Sequence, residues 1–162
     1  MMIVLFILSM QLNPTDTGLV ALRAAYYNAA QKNISTNAFA KKVEAAEIKS
    51  DALLLAYKSM ALMFDARDSY NPYTKMSSFN KGKDLLESAV KKDPASVEVR
   101  FLRFCVQSNA PFFLGYSGNI ADDKAVIFNN WASLEDADLK QKIKQFMHAT
   151  DAATATEKQL LQ

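Results

Sequence analysis

Residues 50–94, SDALLLAYKSMALMFDARDSYNPYTKMSSFNKGKDLLESAVKKDP, decide the fold. Ser50 is a helix-capping residue type, and an apolar stretch follows at once. Leu53, Leu54, Leu55, Tyr57, Met60, Ala61, Leu62, Met63 and Phe64 go most of the way round a helix expected over about 51–69. A helix apolar on nearly all sides belongs in the middle of a bundle, so this one is placed at the centre. Asn71-Pro72-Tyr73 reads as a turn, because the residue before a proline avoids the helical region. A second helix, expected over about 74–92, carries Met76, Phe79, Leu86, Ala89 and Val90 on its inner face. Gly82 sits in the middle of it, where glycine costs about 1 kcal/mol against alanine. Close approach of a neighbouring helix is the natural compensation. Asp93 and Pro94 then read as N-cap and first turn of a third helix, about 95–108, with Val97, Phe101, Leu102, Phe104 and Cys105 as its apolar set.

The same signals extend in both directions. Asn13-Pro14-Thr15-Asp16 is a break followed by helix-start residues, and Leu19, Leu22, Tyr26 and Ala29 recur at helical spacing over about 16–31. Ser35 or Thr36 caps the next helix, with Phe39, Val43 and Ala46 on one face. Beyond the central stretch, Asn119 followed by Asp122 resembles a capping box that starts a helix with Ile120, Val126, Ile127 and Trp131. Ser133 followed by Asp136 starts another, with Leu139, Ile143, Phe146 and Met147, and Thr154 followed by Glu157 starts a short last one. No segment alternates with period two between hairpin turns, so no strands are expected. The expectation is an all-α fold of about seven helices, one domain over 12–162.

Composition narrows the function classes. Half of the 162 residues are hydrophobic and 22% are charged, which is ordinary globular composition. Four Gly and four Pro are few for this length and favour helices over turn-rich sheets. A net charge of +2 gives no electrostatic case for nucleic acid, and Lys41-Lys42 and Lys91-Lys92 are isolated pairs at helix ends. The one cysteine, Cys105, excludes an internal disulfide and, beside Phe104 and Val106, reads as a buried, inert thiol. The one histidine, His148, has no second His or Cys-x-x-Cys to build a zinc site with, so no cofactor or metal is expected. Met1–Met10 is apolar apart from Ser9, too short for a membrane span and of h-region length. Residues 1–11 are therefore expected to be a signal peptide, and the chain to be periplasmic or otherwise exported. No Lys or Arg precedes Arg23 and no small-x-small cleavage site follows, so the alternative is a first element tucked against the core of a cytoplasmic protein. No integral membrane span is expected.

The central stretch resembles a tetratricopeptide-like helical hairpin. Tyr57, Met60, Ala61 and Phe64 match the first helix of that repeat, and Gly82, Leu86, Ala89 and Pro94 the second. The connection between Phe64 and Gly82 is longer than in a standard repeat, and the next helix matches only with a one-residue shift, through Phe101, Phe104 and Cys105. One repeat is convincing, and repeats need neighbours, so non-repeat helices are expected to pack on both sides in a short right-handed solenoid or bundle. Over about 50–125 the strings Phe79-Asn80-Lys81-Gly82, Glu98-Val-Arg100-Phe-Leu-Arg103-Phe104 and Asn109-Ala-Pro-Phe-Phe-Leu-Gly-Tyr116 look like a family of small exported bacterial proteins with no assigned activity. That resemblance implies export and a helical fold, and no reaction.

Three sets of residues are candidates for function. The longest irregular segment, Asn109–Asn119, holds two of the four glycines and three aromatics. Phe112 and Phe113 are expected to fill the core beneath a loop folded over the bundle end; the alternative is that they grip an apolar partner. For Tyr116 both readings stay open. Arg100 and Arg103 share a helix face, with Asp122 and Asp123 just past the loop. Pairing across the loop would pin it in place, and the alternative is an anion clamp for carboxylate or phosphate. Asp65 and Asp68 with Arg67 read as a solvated helix end before they read as a hydrolytic carboxylate pair. By the tetratricopeptide analogy, Lys58, Leu62 and Asp65 would project into a concave groove suited to a peptide. The expected function is a non-enzymatic module that binds a protein or peptide through Lys58, Leu62, Asp65, Arg100, Arg103, Phe112 and Tyr116. The alternative is a small hydrolase using Asp and Arg near the loop.

Overall fold

The structure, a computed structural model, describes residues 17–161. The expected signal peptide lies outside the described residues. Among the described residues eight α-helices follow one another: α1 (Thr17–Ala30), α2 (Thr36–Glu44), α3 (Asp51–Asp68), α4 (Pro72–Lys92), α5 (Val97–Asn109), α6 (Ile120–Asn130), α7 (Ala137–Ala149) and α8 (Ala155–Gln159), with one 3-10 turn at Phe112–Leu114. There is no strand among the described residues, and the fold is all-α.

Helix α3 is the hub and packs against α1, α2, α4 and α5. Its pairing with α4 is antiparallel. Lys92 meets Asp51 at one end, Ser59 meets Gly82 in the middle, and Ser78 meets Asp65 near the other end. The missing side chain at Gly82 sets the closeness of this pair. A Cβ there would lie 3.0 Å from Met63 Cε and 3.3 Å from both Leu62 Cβ and the Ser59 carbonyl oxygen. The Ser59 hydroxyl donates to the Gly82 carbonyl at 2.7 Å, an intrahelical acceptor that the tight approach makes reachable. Gly82→Val should therefore destabilise by about 1–3 kcal/mol, since two methyls more than the Cβ meet backbone and a Cβ that cannot swing away. Urea denaturation checks this, and Gly82→Ala should cost less, because Met63 Cε can move and alanine is the better helix former.

Several boundaries differ from expectation for identifiable reasons. Helix α4 begins at Pro72, not Thr74, because proline suits the first helical position and the Asn71 side chain accepts from the Tyr73 and Thr74 amides at 2.9 and 3.3 Å. Asp93 does not cap α5. It closes α4, and its carboxylate accepts from the Ala95 and Ser96 amides, while Ser96 accepts from Val99 N and starts α5 at Val97. Asp136, not Ser133, is the N-cap of α7, accepting from Leu139 N at 2.9 Å. Asn119 makes no side-chain capping bond, because its oxygen accepts from Gln107 instead. Thr154 and Glu157 form the expected capping box at α8.

The apolar interior falls into two main clusters joined by α5. Val99 and Leu102 belong to the larger one, with Leu22, Tyr26, Phe39, Tyr57, Met60 and Leu86. Phe101, Phe104 and Cys105 belong to the other, with Ile127, Leu139, Ile143 and Met147. Cys105 is buried, which pushes its thiol well above the usual range and keeps it protonated.

Candidate functional site at the aromatic end of the bundle

Helices α3 and α5 both run toward one end of the molecule, where the 69–71 connection and the 110–119 loop emerge. A small third cluster ties these together. Ala66 and Phe79 pack with Tyr116, and Ala110 and Leu114 lean on them. The Phe79 and Tyr116 rings meet edge to face at 6.0 Å. Below them lies a charged network. The Asp123 carboxylate, 0% exposed, accepts from Arg103 Nε and Nη2 at 2.8 and 2.7 Å and from Arg100 Nη1 at 2.9 Å. The remaining Arg103 nitrogen donates to Glu87 at 2.7 Å, and the Tyr116 hydroxyl donates to the other Glu87 oxygen at 2.6 Å. Burial and the adjoining Glu87 carboxylate raise the Tyr116 phenol well above its usual range, so it stays a donor. Gln107 completes the anchor, holding both the side chain and the amide of Asn119.

Arg100 and Arg103 thus pin the loop across to Asp123, and Asp122 is left exposed. They are not an open clamp, because their forks are filled from within. Tyr116 is core. Phe112 and Phe113 are not: they are 97% and 80% exposed, contrary to the expectation that both fill the interior. The reason is local. Leu114 and Tyr116 already occupy the space over Ala66 and Phe79, and Gly115, with φ 61°, turns the chain so that the two preceding rings point outward. Tyr70, Tyr73 and Met76 are exposed at the same end. Of the seven large apolar or aromatic side chains exposed among the described residues, five stand here.

The stripe Lys58, Leu62 and Asp65 does not line a groove. Lys58 is exposed, but Leu62 is half-buried against Gly82 and Asp65 accepts from the Ser78 hydroxyl. The absence of a side chain at Gly82 draws α4 onto that face. Asp68 is engaged as well, by the Arg67 fork at 2.7 and 2.8 Å and the Thr36 hydroxyl at 2.7 Å. Those hydrogen bonds, chiefly the one from Arg67, hold its carboxyl down to about 2.

Sequence reasoning missed Arg23. This residue is 1% exposed and gathers three carboxylates. It reaches Glu98 through Nε and Nη2 at 2.9 and 2.8 Å, Asp136 at 2.9 Å and Asp138 at 2.8 Å. Tyr57 also donates to Glu98, at 2.6 Å. Burial works against the Arg23 charge, but Glu98 and the two aspartates outweigh it and raise its pKa further. The cluster joins α1, α3, α5 and α7. Its signal was position: Arg23 lies within the inward stripe Leu19, Leu22, Tyr26.

Two open hollows mark the surface. One, about 720 Å³, lies between the 32–37 turn, the end of α3 and the start of α4. The other, about 450 Å³, lies between the start of α1 and the 45–47 segment. Neither is lined by the Arg103 network, and no buried side-chain nitrogen or oxygen among the described residues lacks a hydrogen-bond partner. Among the described residues no helix is long and apolar enough to cross a membrane. No protein family, no curated protein and no solved structure matches the chain.

Proposed function

We propose that the chain is a non-enzymatic, tetratricopeptide-like binding module of the cell envelope that holds a protein or peptide partner at its aromatic end. One observation carries this reading: Phe112 and Phe113 stand in solvent on a loop whose later residues, Tyr116 and Asn119, are tied to the bundle. Leaving a phenylalanine exposed forgoes roughly 1.5–3 kcal/mol of burial, and a partner that covers the pair recovers it. The tie matters equally, because a loop anchored at Tyr116 and Asn119 before binding costs less to order on binding. The close antiparallel pair α3–α4, with α5 beside it, supports the tetratricopeptide-like part. Export rests on the apolar run Met1–Met10 and on the resemblance to small exported bacterial proteins. The hydrolase reading asks for an accessible polar group near the loop, whereas Arg100 and Arg103 are bonded to Asp123, and Arg103 and Tyr116 to Glu87.

Phe112→Ser with Phe113→Ser should reduce capture of a partner from the native cell envelope about tenfold or more, with the thermal midpoint unchanged within error. Equal capture by the variant would refute the assignment of this surface. A fall in thermal midpoint would show that the rings serve the fold.

A further inference from the structure

The 720 Å³ hollow is lined by Tyr70, one of the exposed rings of this end, and has a charge of its own. Lys32, Arg67 and Lys75 line it, against the single carboxylate of Asp68. That carboxylate is already taken up by Arg67 and Thr36. Neither Lys32 nor Lys75 forms a salt bridge with the described residues, and both are exposed. Lys32 also holds a left-handed backbone, φ 62°, at the end of α1, a position where glycine is the usual occupant. Tyr70, fully exposed, forms the wall on the side of the aromatic surface. The size is that of a ligand site. Its lining carries three cations against one carboxylate, a local surplus of positive charge at the mouth.

We infer that this hollow receives the acidic stretch of a peptide whose neighbouring apolar residues cover the exposed rings. The partner of the proposed module is thus a segment with two or more Asp or Glu residues beside Leu or Phe. This inference rests on the binding reading above and specifies its ligand. Lysine ammonium groups take carboxylates without fixed geometry, so the site selects for charge and not for one sequence. Attraction across an open mouth is screened over roughly 10 Å at 0.1 M salt, which makes the contact salt-sensitive where the ring contact is not.

The test uses the full chain and three fluorescein-labelled twelve-residue peptides in fluorescence anisotropy, at low and at 0.3 M salt (a chosen condition, roughly threefold above the 0.1 M reference). One peptide alternates Glu with Leu and Phe, the second has Lys in place of Glu, and the third is acidic with Ser in place of the apolar residues. The first should bind at least about tenfold more tightly than the second, and the advantage should shrink at high salt. Lys32→Glu with Lys75→Glu should abolish that preference without moving the thermal midpoint, as both side chains are exposed. Equal binding of the Glu and Lys peptides overturns the inference, as does an undiminished preference in the double variant. Binding of no peptide, with capture of the chain by phosphatidylglycerol vesicles, overturns it in favour of a lipid surface. Phe112→Ser with Phe113→Ser separates the two readings. If it leaves binding of the first peptide unchanged while the lysine variant loses it, the acidic site stands and the ring surface falls.

Discussion

Arg23→Met should lower the free energy of unfolding by about 3–5 kcal/mol, the range for removing one partner of a buried ion pair. The size follows from what stays behind. Glu98 is buried, and its two oxygens face the guanidinium and the Tyr57 hydroxyl. Without Arg23 it keeps one hydrogen bond and loses its counter-charge. Total stabilities of such domains lie near 5–15 kcal/mol, so the variant should sit close to its unfolding threshold. Chemical denaturation gives the number. Adding Glu98→Gln should recover part of the loss, because the stranded charge goes with it. A loss below about 1 kcal/mol would mean that the cluster is no more than a surface ion pair. Acid offers a second readout. Burial opposes ionisation of Asp136, yet the Leu139 amide and Arg23 outweigh it and hold its carboxyl below the usual range. A depressed folded-state value means stability that is present above the ordinary carboxylate range and lost as pH falls below it. Wild type should lose this share below about pH 4, and Arg23→Met should lose less of it.

Asp123→Asn should cost a similar amount, about 3–5 kcal/mol, for the opposite reason. Here the anion goes and two cations remain. Arg103 is 3% exposed and keeps only Glu87 as a counter-charge; Arg100 is partly open and can turn toward water. The amide is the same size as the carboxylate, so packing is preserved and the change reports charge. This substitution has a consequence that Arg23→Met lacks. The network is the floor under Tyr116 and Asn119, so amide exchange in 110–119 should speed up before the rest of the fold opens. Hydrogen exchange followed by residue decides it. Unchanged protection in the loop would show that Phe79 and Leu114 hold it without the charges.

The parts legible in the sequence were those with local signals. An apolar circumference placed α3 at the centre, and one glycine inside a helix announced the tight α3–α4 contact. Arginines three apart with two aspartates beyond a loop announced the pin, although only Asp123 of the pair takes part. The misreadings share a cause. Asp-Pro is a strong helix start, but Ser96 is a better-placed cap two residues on, and Asp93 turned to serve the connection instead. Phe112 and Phe113 were assigned to the interior by hydrophobicity, a rule that holds only in one direction. Which apolar loop residues go inside depends on which space is already filled, and Leu114 and Tyr116 filled it. Arg23 stood in the inward stripe of α1, but the cluster it builds was illegible for another reason. Its partners lie 75 or more positions away, and no local pattern joins them.

Helix α5 gives residues to both main apolar clusters, and Glu98 on the same helix binds Arg23 of α1, which also holds Asp138 of α7. The two clusters therefore share one helix as a common wall. A fragment ending after α4 would lack one wall of its interior, and a fragment beginning at α5 would carry Val99 and Leu102 bare. Either half cut from the other should therefore be less stable than the whole chain, which denaturation of the two fragments would check.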